Sequence, residues 1–231
     1  MTTHPLRHIA IIPDGNRRWA KARGKLAMEG HKYAVEETFP KLFDTVQELE
    51  IEFCTVWLLS PENFTKREQQ EINNILMLLK LFLRRRIDEL DKKKVKLQII
   101  GDIDVLPEDT KKELASAVAR TRANTKTVVT FAINYGGRDE IVRAIQRMNQ
   151  EACDIERLSK EDVGEFLDTA GMPDPDLIIR TGGEKRTSGF LPWQSEYAEY
   201  AFVDTLFPDF TPDALKGCVD DFLSRNRRFG S

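Results

Sequence analysis

Short runs of β-branched and apolar residues alternate along the chain with longer segments whose apolar positions recur every three or four residues. The short runs at 9–12, 53–59, 95–100, 128–133 and 177–179 predict strands, and a weaker run at 199–203 predicts a sixth. Helical spacing predicts helices at 33–49, 69–90, 108–122, 139–151, 160–168 and 212–225. Pro107, Glu108 and Asp109 make a good start for the third of these, with proline near the first turn and acids against the helix dipole. Strands that alternate with helices predict an α/β fold, with a central, mainly parallel sheet flanked by helices. Pro173 to Pro175 mark a loop before the fifth strand, and no stretch reads as a linker or an internal repeat. Residues 1–231 are therefore expected to form a single domain.

The segments that follow the strands carry the chemistry. The first strand runs into Pro13-Asp14-Gly15-Asn16-Arg17-Arg18-Trp19, and the second into Ser60-Pro61-Glu62-Asn63. The fourth runs into Asn134-Tyr135-Gly136-Gly137-Arg138, and the fifth into Arg180-Thr181-Gly182-Gly183-Glu184 with Arg186 and Ser188 close behind. In a parallel sheet these strand ends share one edge, the usual place for a ligand crevice. Arginines there offer forked donors to phosphate oxygens, and glycine-rich loops expose backbone N–H groups to the same charge. A carboxylate in such company is repelled by bare phosphate but not by phosphate carrying magnesium. An anionic, phosphorylated ligand is the expectation.

Composition narrows the field. The 231 residues carry 35 Lys+Arg against 38 Asp+Glu, a formal net charge of -3, which argues against a chain built to bind nucleic acid. Any polyanion site must be a local basic pocket. Cys54, Cys153 and Cys218 are odd in number and widely spaced, so they are read as reduced core residues rather than a disulfide framework. His4, His8 and His31 are too few for a zinc site of the HExxH kind, and no GxSxG elbow supplies a serine nucleophile. There is no GxxxxGK[ST] and no GxGxxG after the first strand. The N-terminus has no apolar core of a signal peptide, and the greasiest stretch, 75–83, is broken by Lys80 and far short of the ~20 residues a membrane span needs. A cytoplasmic protein is expected.

The long helix at 69–90 adds a second property. Ile72, Ile75, Leu76, Leu79, Phe82 and Leu83 make an apolar face, widened by Met77, Leu78 and Leu81, before the run Arg84-Arg85-Arg86. The plain reading is a core helix with cations at its C-terminal dipole. The sharper reading is one wall of a pocket for a hydrocarbon chain, which beside a diphosphate site would suit an isoprenoid diphosphate.

At these residues the chain resembles the cis-prenyltransferase family, whose bacterial type is undecaprenyl diphosphate synthase. The resemblance is carried by six segments in family order. They are His8-Ile9-Ala10-Ile11-Ile12-Pro13-Asp14-Gly15-Asn16-Arg17-Arg18-Trp19-Ala20, Gly30-His31-Lys32, Ser60-Pro61-Glu62-Asn63-Phe64, Asn134-Tyr135-Gly136-Gly137-Arg138, Asp176 to Glu184, and Phe190 to Glu199. The terminal Arg227-Arg228-Phe229-Gly230 matches as well.

The resemblance implies a hydrophobic tunnel and a magnesium-dependent condensation of isopentenyl diphosphate with an allylic diphosphate, giving a cis double bond. It implies that Asp14 and Glu199 hold magnesium, and that Asp14 and Asn63 are catalytic. Gly15, Asn16, Arg17, Arg18 and His31 would cradle the allylic diphosphate, and Arg180, Arg186 and Ser188 the isopentenyl diphosphate. Trp19, Ser60, Pro61, Glu62, Phe64, Lys66 and Thr187 complete the expected substrate-binding set. Arg228 and Gly230 match a tail motif that reaches the isopentenyl site of the neighbouring subunit in a homodimer. A lipid product would give the enzyme a loose association with a membrane surface. An Asn amide is a poor base, so Asn63 is read as an orienting group, with the released diphosphate taking the proton.

Several positions depart from the family pattern. Ala27 replaces a common Arg, Phe64 a common Trp, and Lys66-Arg67 stands where one Arg is usual. Leu58 occupies a tunnel position that is small in long-chain members, and with Pro13 and Arg17 it points to a short product, around farnesyl to geranylgeranyl length. The alternatives are a long-chain, undecaprenyl-type synthase and a non-catalytic subunit of a two-chain prenyltransferase. The second would be expected to lose the Asp14 and arginine constellation that this chain keeps.

Overall fold

A computed structural model describes residues 6–225. Six strands form one sheet in the order β3-β4-β2-β1-β5-β6, every neighbouring pair parallel. They are β1 (His8–Ile12), β2 (Phe53–Trp57), β3 (Val95–Ile100), β4 (Thr127–Ala132), β5 (Leu177–Arg180) and β6 (Glu199–Phe202). The weakest predicted strand, at 199–203, is thus real and forms the outer edge. The helices are α1 (Asn16–Ala22), α2 (Ala27–Tyr33), α3 (Phe39–Glu48), α4 (Pro61–Lys66), α5 (Gln69–Lys92), α6 (Glu108–Thr121), α7 (Gly137–Gln150), α8 (Lys160–Glu165) and α9 (Pro212–Ser224).

Both faces of the sheet are covered, so its central strands are apolar at successive positions rather than alternate ones. In β1, Ile9 and Ile11 enter the main core with Phe39, Phe43, Phe82 and Phe222, whereas Ala10 and Ile12 enter a second core with Tyr135 and Phe190. Cys54 and Cys218 are buried, and burial pushes the Cys54 thiol up to about 12, as suits an inert core residue. Inside the second layer Glu140 is fully buried, with Tyr135 Oη and Gln194 Nε2 donating to it at 2.6 and 3.0 Å. Burial raises its pKa.

Three local differences from the sequence expectation matter. The helix expected at 33–49 begins earlier, at Ala27, and passes through a π-helical turn, Ala34–Thr38, before α3. Its start is capped by the Glu29 carboxylate, which accepts the Leu26 N–H at 2.9 Å. The segments after β1 and β2, where no helix was expected, form short helices, α1 and α4. The second strand ends at Trp57, because the N–H groups of Leu58 and Leu59 both turn to the Ala132 carbonyl, at 2.9 and 3.4 Å.

β1 lies between β2 and β5, so the connection leaving β1 and the one leaving β5 run opposite ways across the sheet. That reversal opens a crevice at the C-terminal ends of these two strands.

At the other end of β1, His8 is buried, its Nδ1 2.7 Å from the Pro173 carbonyl and its Nε2 2.8 Å from Thr55 Oγ1. Burial pushes it down to about 4. A base with a lowered pKa is neutral in the fold, so its contribution is complete above the unfolded value and is lost as pH falls toward the folded one. His8→Gln is expected to shrink the fall in unfolding free energy between pH 7 and pH 5 by roughly 2 kcal/mol. Urea titrations at both pH values check it, and an unchanged difference between them would refute it.

Candidate active site

The crevice holds a cavity of about 510 Å³. Its ionic end is built on the tips of β1 and β5. Arg180, the last residue of β5, is 5 % exposed, and its Nη2 donates to Asp14 Oδ2 at 2.8 Å. Its Nη1 donates to the Arg186 carbonyl at 2.6 Å and to Ser188 Oγ at 2.9 Å. Arg18 Nη2 approaches the other Asp14 oxygen at 3.3 Å. The Asp14 backbone is fixed in turn, its carbonyl accepting Thr181 Oγ1 at 2.8 Å and the Phe207 N–H at 3.0 Å.

Glycines permit this geometry at two points. Gly15 caps α1 at φ 107°, and a Cβ there would lie 2.8 Å from Leu206 Cδ2. At Gly30 a Cβ would stand 2.0 Å from the Asn16 carbonyl oxygen, so only glycine lets α2 pack this closely on α1. The contact holds His31 over the same cavity as Arg17 and Arg18.

A second basic group gathers Arg17 of α1, His31 of α2 and Arg67, the residue after α4, around Glu71 of α5. Arg67 Nη1 donates to Glu71 Oε1 at 2.9 Å, while Arg17 Nε and His31 Nε2 each stand 3.9 Å from the same oxygen. Burial, then the Arg67 and Arg17 guanidiniums, push His31 down to about 4, so its imidazole is neutral at pH 7. Three buried polar atoms of this site, Asn16 Oδ1, His31 Nε2 and Arg180 Nε, have no hydrogen-bond partner among the described residues. Such atoms are uncommon in folded proteins, and their gathering here marks a place completed by a ligand.

The other end of the cavity is apolar. Ala34 and Val35 of the π-helical turn, Phe39, Trp57, Leu58, Ile75 and Leu78 line it. Ser60 and Asn63 line the cavity as well. They cap α4 reciprocally, the Ser60 N–H donating to Asn63 Oδ1 and the Asn63 N–H to Ser60 Oγ, both at 3.3 Å.

Of the residues expected from sequence, Asp14, Gly15, Asn16, Arg17, Arg18, His31, Ser60, Asn63, Arg180 and Ser188 come together on this wall. Others do not. Trp19 is buried beneath it, its Nε1 donating to Asp209 Oδ1 at 2.7 Å and its ring stacked on Tyr33. Arg186 is exposed and pairs with Glu184, so its backbone carbonyl, not its guanidinium, joins the site. Pro61, Glu62 and Thr187 flank the cavity without lining it, and Phe64 packs on the main core.

Lys66 is exposed and lines a neighbouring groove, whereas Arg67, one residue on, faces the cavity. Glu199 opens β6 opposite Leu177, at the far end of β5 from Arg180, and it accepts a hydrogen bond from Arg225 Nη1 at 2.9 Å. Three residues along a strand separate Leu177 from Arg180, roughly 10 Å, so Glu199 and Asp14 of one chain are not placed as a pair. Arg228 and Gly230 lie outside the described residues. Among the described residues no helix is long and apolar enough to cross a membrane.

Residues 12–230 match a prenyltransferase family model described as "Putative undecaprenyl diphosphate synthase". A ditrans,polycis-undecaprenyl-diphosphate synthase ((2E,6E)-farnesyl-diphosphate specific) of Micrococcus luteus is 41% identical over 228 residues, covering 97% of this chain and 91% of the relative. An isoprenyl transferase of Clostridium tetani is 42% identical, covering 97% and 89%. Among solved structures, lavandulyl diphosphate synthase from Lavandula x intermedia, in complex with dimethylallyl diphosphate, superposes with a TM-score of 0.93. It is 32% identical, with 98% of each chain covered.

The placement of Arg67 and Lys66 is open to a direct measurement. Inorganic diphosphate titrated calorimetrically is expected to bind Arg67→Ala about tenfold or more weakly than the wild type, the loss of one charged hydrogen bond, and Lys66→Ala nearly unchanged. The reverse order would place the lysine in the site.

With the family model spanning nearly the whole chain and relatives above 40% identity along its length, the protein belongs to the cis-prenyltransferase family and is an enzyme of that class.

Proposed function

We propose that this enzyme condenses isopentenyl diphosphate with a short allylic diphosphate (dimethylallyl, geranyl or farnesyl) into a Z-configured, short-chain isoprenyl diphosphate. One observation carries the reading: a single cavity joins an arginine-rich end, with three buried polar atoms that find no partner among the described residues, to an apolar limb lined by Val35, Leu58 and Leu78. That is the shape and polarity of a diphosphate with a hydrocarbon tail.

In this reading Arg17, Arg67 and His31 hold the allylic diphosphate, while Arg180 and Ser188 hold isopentenyl diphosphate. The donor set suits magnesium, which commonly takes one or two carboxylates with the remaining places filled by substrate phosphate and water. Asp14 would hold it at the junction of the two subsites. When bound, the ion supplies charge stabilisation to the departing diphosphate.

The residues of the chain do the rest. The allylic C–O bond breaks, and guanidinium donors stabilise the charge gathering on the diphosphate oxygens. The π bond of isopentenyl diphosphate forms the new C–C bond, and a proton leaves its C2 for the released diphosphate. Asn63, held by its reciprocal cap with Ser60, orients the reacting chain without taking the proton.

Purified protein incubated with magnesium, labelled isopentenyl diphosphate and each allylic primer in turn tests this reading. Incorporation is expected, and none with any primer would overturn it. Asn63→Ala is expected to lower turnover roughly 10²-fold, by loss of one aimed polar group, without adding a new ionisation to the pH–rate profile.

Product chromatography distinguishes the short chain from the long one that the name of the Micrococcus luteus relative suggests. Leu58, half-buried at the apolar limb, favours the short product, and Leu58→Ala is expected to lengthen it. An unchanged distribution would remove Leu58 from the argument. The reading also pairs two copies of the chain, with sedimentation of the purified protein at twice the monomer mass as its check.

A further inference from the structure

The ionic end of the cavity has a second face. A groove of about 460 Å³ lies beside it, between the start of α2 and the first turns of α5. Arg17 and Arg67 line both the cavity and the groove, and no other residue is shared between them. Glu71 lines the groove alone, and its Oε1 stands 2.9 Å from Arg67 Nη1 and 3.9 Å from Arg17 Nε. His31, also 3.9 Å from that oxygen, lines the cavity alone. The two guanidiniums thus stand between a carboxylate on the groove side and the arginine-rich end of the cavity. Ala27 and Asn74 are half-buried in the groove, whereas Lys66 and Glu68 are exposed. Lys66 forms no ion pair among the described residues, so the groove carries three cations against two acids.

We propose that this groove is the way out for the inorganic diphosphate released by the condensation, with Arg17 and Arg67 as its gate and Lys66 as a transit site. The inference rests on the prenyl-transfer reading of the cavity. In that reading the new C–C bond joins the allylic carbons to isopentenyl diphosphate, so the product keeps its own diphosphate on Arg180 and Ser188. Its chain lies in the apolar limb. The released diphosphate is left on Arg17, Arg67 and His31, with the charge of the product on the cavity side of it. Like charges at such range repel, and the groove on the other face of the two arginines is the direction that separates them. A guanidinium carries five donors, so an anion can pass from one face of an arginine to the other while still held. Glu71 then draws both arginines back.

Single turnovers separate the two events. Rapid quenching with labelled isopentenyl diphosphate follows the C–C bond, and a coupled optical assay for free inorganic diphosphate follows its release. Asn74 lines the groove and not the cavity. Asn74→Trp is expected to leave bond formation unchanged and to delay free diphosphate about tenfold or more against the wild type. Asn74→Ala, which adds no bulk, is expected to show no delay. Lys66→Ala is expected to slow release about threefold, by loss of one steering charge. Its equilibrium affinity for inorganic diphosphate stays nearly unchanged, because a residue on the route alters entry and exit alike.

Release from Asn74→Trp in step with the wild type overturns the route. So does slower bond formation in that variant with no delay in release, since it would put Asn74 in the reaction site. The absence of any C–C bond formation in the wild type refutes the prenyl-transfer reading instead, a separate result. Melting curves identify a misfolded variant, and Gln70→Trp, one turn earlier on α5 and in the same groove, repeats the test.

Discussion

The ion pair between Asp14 and Arg180 is the constraint on which the rest of the site depends. The two residues come from neighbouring parallel strands at the point where the connections diverge, and their 2.8 Å hydrogen bond closes the crevice floor. Arg180 is almost wholly buried, and a charge so placed must be compensated or it is costly. Asp14 compensates it, and the Arg186 carbonyl and Ser188 hydroxyl take the other guanidinium nitrogen. Removing the carboxylate alone would leave a buried cation with two neutral acceptors. The pair therefore serves the fold first, by joining the loop after β1 to the loop after β5. Under the proposed function its chemical use follows from that, since the same carboxylate and the same fork are then held on the cavity floor with little freedom to move.

The acidic total of the chain and the basic character of the site are compatible because the carboxylates are placed among the arginines. Glu71 sits within 2.9 Å of Arg67 and 3.9 Å of both Arg17 and His31, and Asp14 lies between Arg18 and Arg180. These acids limit repulsion among cations that would otherwise converge unpaired. Under the proposed function a diphosphate, with more negative oxygens than either carboxylate, would share the arginines without displacing every internal bond. Low-dielectric walls on the apolar side concentrate that field at the cavity mouth. The net charge of -3 is therefore no guide to what the crevice attracts.

Much of this was legible in the sequence because parallel sheets leave a clear record. Buried strands such as 9–12 and 177–179 are apolar at every position, and their ends are marked by the polar residues that follow. What was not legible concerns phase and direction. A motif match says nothing of which end of a strand a residue occupies, so the resemblance implies Glu199 as a partner of Asp14 although the run 199–203 starts with it, and it opens β6 at the far end of the sheet from the crevice. At Lys66-Arg67 two cations are adjacent, and the last turn of α4 decides between them by rotating one outward. Trp19 belongs to a motif that carries chemistry, yet its own large ring is spent on packing and on one bond to Asp209. The early start of α2 was hidden by Gly30, a poor helix former kept for its contact with the Asn16 carbonyl.

The two halves of the cavity are built from different material, and this has a consequence for how specificity is divided. The ionic half rests on strand ends and glycine turns, where a shift of one residue would break several hydrogen bonds at once. The apolar half lies between helices, against a π-helical turn whose extra residue sets which side chains meet α5. Apolar contacts there are non-directional, and conservative changes of size are tolerated far better than changes at a buried charge. Under the proposed function, recognition of the diphosphate is thus tied to the integrity of the sheet, while the room for a hydrocarbon chain depends on side chains that helices bring to the apolar end. A fold made this way can change what it makes without changing how it holds the reacting groups.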